Sequence, residues 1–185
     1  AVGESAEVVF GEVALGSAGV SMVAHVRKRT IGELSHVNTH PFVRGGWVFC
    51  HNGTVQEVDW LASQCSRERL AEREGETDSE ILLAFLLTRL DAAGCDLARP
   101  DASFDRALLR ACQALTDRGE AFGSCNFLFS NGETCFAHRY GRSLYVLERT
   151  AQDPLVQRRV SEETGAIVET EWSGADRHAI LIASE

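Results

Sequence analysis

Residues 39–55 read THPFVRGGWVFCHNGTV, and the function of His51-Asn52-Gly53 within them decides the fold. The apolar run Trp47–Cys50 has the composition of a short strand, and it leads straight into this triplet. Taken alone, Asn-Gly is the strongest signal for a two-residue hairpin turn. The alternative is chemical: an Asn side-chain amide and a Gly backbone N–H can both donate to a developing oxyanion, and glycine lets substrate approach the main chain closely.

Upstream, VSMVAHV at 20–26 is apolar and β-branched enough for a buried strand, followed by the polar loop RKRTIGELSHVNTH. Downstream, residues 56–64 place Val58, Leu61 and Ala62 at helical spacing, and the charged stretch SRERLAEREGE reads as exposed. Thr77 then resembles an N-cap with Glu80 as its capping-box partner, opening a helix that runs to about Ala93 and stops at Gly94. A second helix spans about 103–118, with Phe104, Leu108, Ala111, Cys112 and Leu115 on one face. From Ser124 the period becomes that of strands: two apolar runs around Asn131-Gly132, then 143–148 and 178–183. Strands, two helices and antiparallel strands in that order give an α+β layered fold in one domain, 1–185.

The chain has 185 residues, 44% hydrophobic and 24% charged, enough for a sizeable core. Its net charge of −9 gives no electrostatic case for nucleic acid or an anionic membrane surface. No segment approaches the roughly 18 apolar residues that span a bilayer. The six cysteines are scattered without a C-x-x-C pair, which reads as reduced core thiols in a cytoplasmic protein and not as a metal or disulfide framework. His25, His36 and His40 are too irregularly placed for a metal set.

Arg27 is either a solvated cation beside Lys28 and Arg29 or a guanidinium fork that grips a carboxylate. Thr30 and Asn38 have ordinary loop readings, and Pro41 holds His40 extended. Asp78 either favours its helix dipole or binds an ammonium group.

In sequence order these residues resemble the glutaminase domain of class II glutamine amidotransferases. The likeness is carried by HVRKRTIGELSHVNTHPF, WVFCHNGTV and GETDSEILL: Arg with Thr and Gly, Asn-x-His-Pro, His-Asn-Gly, then Thr-Asp-x-Glu. It implies a four-layer αββα N-terminal-nucleophile hydrolase sandwich, with the N-terminal strands missing from this chain. It further implies Arg27 on the α-carboxylate of glutamine, Asp78 on its α-amino group, Thr30 in the substrate loop, and Asn52 with Gly53 as the oxyanion hole. No cofactor is implied. The substrate is a small molecule, glutamine or a γ-glutamyl conjugate as in the compact stand-alone members, with an amine acceptor or a synthetase subunit as partner.

Two departures stand out. Lys28, Arg29 and Ile31 replace the family's usual substrate-loop residues. The family nucleophile is an N-terminal cysteine, whereas residue 1 is alanine and no cysteine precedes Cys50. The expectation is that the natural N-terminal segment is absent and that the chain alone does not hydrolyse glutamine. The rival expectation is a non-catalytic module that keeps the fold and a γ-glutamyl-sized pocket.

Overall fold

Gly45 and Gly46, with φ of 57° and 81°, turn the chain between Phe42–Arg44 (β1) and Trp47–Val55 (β2), pairing Arg44 with Trp47. Both central residues take positive φ, the geometry that matches strand twist in a tight hairpin. This computed structural model describes residues 21–25, 35–153, 156–160, 167–171 and 178–184. They fall in two compact units, 1–141 and 142–185.

In the first unit β2 continues through His51-Asn52-Gly53 to Val55, paired along eight residues with Gly123–Ser130 (β3). Cys135–His138 (β4) completes an antiparallel sheet of order β1-β2-β3-β4. Of the two readings of this Asn-Gly, the turn is excluded: Asn52 and Gly53 face Asn126 and Cys125 in mid-strand. A second Asn-Gly does turn the chain. Ser130 pairs with Cys135, Gly132 takes a φ of 91°, and Asn131 Oδ1 accepts from the N–H groups of Glu133 and Thr134.

The expected strand at 20–26 is not found, since residues 21–25 lie in no strand and Met22 is 58% exposed. Apolar, β-branched composition makes a strand only where a ladder partner exists.

The helices are Val58–Ser63 (α1), Arg67–Ala71 (α2), Asp78–Ala92 (α3) and Ala102–Thr116 (α4). The segment expected to be merely exposed folds as α2, because Ser66 accepts from the Arg69 N–H and caps it. Asp101 caps α4 by accepting from Ser103 and Phe104, and Gly94 and Gly119 stop α3 and α4 at positive φ.

The core lies between the helices and the face of the sheet that carries Trp47, Phe49, Val55, Phe127 and Phe129. Trp47 stacks on Phe129 at 4.4 Å and Phe104 at 4.9 Å, and its indole N–H donates to the Leu97 carbonyl at 2.9 Å. Trp47→Ala is expected to cost about 3–5 kcal/mol, a large part of the roughly 5–15 kcal/mol that holds a domain of this size. The urea unfolding midpoint measures it, and a loss under about 1 kcal/mol would contradict this packing.

The second unit holds two antiparallel ribbons. Tyr145–Arg149 (β5) pairs with Ala179–Ala183 (β8), close to the expected 143–148 and 178–183, and Val156–Val160 (β6) pairs with Ile167–Glu171 (β7).

Candidate active site

Successive residues of a strand alternate between its faces. Trp47, Phe49, His51, Gly53 and Val55 face the helices, so Asn52 projects from the opposite face, where it is half-buried. The backbone of β2 alternates in the same way. The His51 carbonyl is reached by His25 Nε2–H at 3.1 Å, and the Val55 N–H donates to Asp78 Oδ2 at 2.8 Å. Both groups point away from β3. Across the ladder, the Cys125 N–H donates to the Tyr140 carbonyl at 2.7 Å instead of to β2, so Gly53 and Cys125 form a non-hydrogen-bonded pair. The Gly53 N–H therefore also points to the side away from β3, beyond the end of β1, whose pairing with β2 stops at Phe49. A main-chain donor directed out of a sheet beside a side-chain amide is the arrangement an oxyanion needs.

Gly53 is extended, so its conformation does not require glycine; the space does. A Cβ there would overlap the Ser124 carbonyl oxygen and come within 2.8 Å of His51 Nε2. Gly123, at φ 96° and ψ −144°, precedes Ser124 and lets the chain take the local twist.

Asp78 occupies the first turn of α3 and is buried. Its Oδ1 accepts from the Ser79 N–H at 3.0 Å and its Oδ2 from Val55. These bonds use two of the roughly four acceptor sites of the carboxylate. Thr77 caps α3 through its hydroxyl, as expected, accepting from the Glu80 N–H at 3.2 Å. Glu80 does not close a reciprocal capping box. Its carboxylate accepts from the N–H groups of Glu74 and Gly75, each at 2.9 Å, and pairs with Arg44 at 3.3 Å. Asn38 Oδ1 accepts from the Glu76 N–H at 2.9 Å. A Cβ on Gly75 would overlap that same oxygen. Asn38, Glu80 and Gly75 thus shape the 74–77 loop that delivers Asp78. Their spacing in sequence carried no sign of this, because each partner lies on a different segment.

Arg27 and Thr30 lie outside the described residues. His25, two positions before Arg27, is described, and its bond to the His51 carbonyl ties that segment to β2.

Among the described thiols, burial pushes Cys50 up to about 12 and Cys65 and Cys112 up to about 11, and it raises Cys125 and Cys135 as well. Such thiols are protonated at neutral pH and make poor nucleophiles. In native protein at pH 8, iodoacetamide is expected to leave the buried Cys50 and Cys125 unmodified, and to label both after denaturation. Mass spectrometry reads the outcome, and native labelling of Cys50 at a free-thiol rate would refute the burial.

Residues 12–185 match the family described as Glutamine amidotransferases class-II. A Saccharomyces cerevisiae relative, "Probable glutamine amidotransferase DUG3", is 33% identical over 135 residues, which are 63% of this chain and 38% of that protein. A Mycobacterium tuberculosis relative named γ-glutamyl-hercynylcysteine sulfoxide hydrolase is 25% identical over 189 residues, 98% of this chain and 69% of that protein. A solved Pseudomonas aeruginosa structure, titled as a predicted glutamine amidotransferase, superposes with a TM-score of 0.61 at 28% identity, covering 81% of this chain and 55% of that one. The chain spans 42%, 34% and 38% of the length of relatives from Haemophilus influenzae, Methanocaldococcus jannaschii and yeast.

Proposed function

The chain belongs to the class II glutamine amidotransferases, and on that premise we propose that the intact natural protein cleaves the γ-amide of glutamine or of a γ-glutamyl conjugate. The observation that carries this reading is the side of β2 that faces away from β3. There the Gly53 N–H is directed outward two residues from the Val55 N–H, which the Asp78 carboxylate holds at 2.8 Å. In this reading the oxyanion donors belong to β2, and the ammonium acceptor, on the first turn of α3, is bonded to the same strand.

In this reading Arg27 binds the α-carboxylate of the substrate, Asp78 its α-ammonium and Thr30 belongs to the substrate loop. The thiolate of an N-terminal cysteine attacks the γ-carbonyl, and Asn52 Nδ2 and the Gly53 N–H stabilise the oxyanion. The amine leaves, and water resolves the γ-glutamyl thioester. An amine acceptor, on a further domain or a synthetase subunit, would take the released nitrogen. A γ-glutamyl conjugate is favoured over free glutamine by the match across 98% of this chain to a relative named as a γ-glutamyl conjugate hydrolase.

Glutamate release from glutamine and from γ-glutamyl conjugates, assayed side by side with the intact protein, tests the proposal. Release from neither would end it. Arg27→Ala is expected to raise KM by about 10- to 100-fold, the worth of a lost charge-assisted hydrogen bond, and an unchanged KM would remove Arg27 from its role.

A further inference from the structure

The buried His51 side chain joins three elements. Its Nδ1 lies 2.9 Å from Ser79 Oγ on the first turn of α3, and its Nε2 lies 3.3 Å from the Ser124 carbonyl on β3. A carbonyl can only accept, so in the neutral ring Nε2 carries the proton and Nδ1 accepts from the Ser79 hydroxyl. Ser79 directly follows Asp78, and His51 directly precedes Asn52. The side chain–side chain bond is buried, where a hydrogen bond holds its geometry without competition from water.

We infer that His51 and Ser79 form a positioning pair that fixes Asp78 against the Asn52-Gly53 strand, and so sets how far the ammonium acceptor stands from the oxyanion donors. This rests on the reading of Asp78 as the ammonium acceptor. Val55 anchors one carboxylate oxygen to β2, while the apolar residues of α3 pack in the core against the same sheet. The His51–Ser79 bond adds a second hydrogen-bonded attachment between the same turn and the same strand. Two such points fix an orientation, and small misplacements of a binding group are costly in rate.

The test compares the intact protein on a γ-glutamyl amide and on its counterpart without the α-amino group. Suitable pairs are glutamine with glutaric acid monoamide, and γ-glutamyl-p-nitroanilide with glutaryl-p-nitroanilide. Ser79→Ala removes the hydroxyl with little change of shape. It is expected to lower kcat/KM about three- to tenfold on the amino substrate, mostly through KM, and to leave the desamino substrate within about twofold. His51→Asn keeps an acceptor near the Nδ1 position, so it should retain the wild-type preference between the two substrates even where kcat falls for both. His51→Gln, whose amide reaches only toward Ser124, should lose that preference. A general structural defect would slow both substrates alike. If Ser79→Ala lowers both equally, or neither, the positioning pair is wrong while the Asp78 reading survives. If wild type shows no preference for the amino substrate, the Asp78 reading fails and the pair falls with it.

Discussion

Asn52→Ala is expected to lower kcat by about 10²–10³ while KM stays within a few-fold, the usual consequence of deleting one oxyanion donor. The side chain projects from the sheet face opposite the helices and contributes nothing to the buried aromatic core, so the fold should survive its loss. A donor that acts only on the developing charge changes kcat and not substrate affinity. Steady-state kinetics on the intact protein, with a circular dichroism melt as control, decide the matter. Activity that remains within a few-fold would exclude Asn52 from the oxyanion hole.

Gly53→Ala should damage both rate and stability. The new methyl group would enter the space held by the Ser124 carbonyl, and backbone atoms on both paired strands must move to admit it. Overpacking of this kind costs about 1–3 kcal/mol. The same movement displaces the Gly53 N–H, so kcat should fall at least as far as in Asn52→Ala. The contrast between the two variants is diagnostic: one loses rate alone, the other loses rate and lowers the urea midpoint. If Gly53→Ala kept wild-type activity, the outward N–H would have no part in the chemistry.

Much of the helical architecture was legible locally. Thr77 as cap, Gly94 as stop and the buried face of α4 follow from side-chain periodicity and from capping bonds three residues apart. The β1–β2 turn was missed although Gly45-Gly46 stands between two apolar runs, a pattern that signals a hairpin as well as Asn-Gly does. The strand expected at 20–26 shows the opposite error, where composition suggested a ladder that residues 21–25 do not join. Glu80 was assigned to a capping box because its spacing allowed one. The 74–77 loop and Arg44 compete for the same carboxylate and hold it instead.

By itself the sequence determined the chemical inventory: a cation at Arg27, an anion at Asp78, neutral donors at Asn52 and Gly53, and the order of four blocks that marks the family. Only the tertiary structure decided that His51-Asn52-Gly53 runs through a strand, that the Gly53 N–H points out of the ladder, and that Ser124 forbids a side chain there. The reason is that Asn-Gly carries the same local preference in both of its occurrences. At Asn131-Gly132 the chain turns, whereas at Asn52-Gly53 a partner strand some 70 residues away pairs with it and overrides the turn.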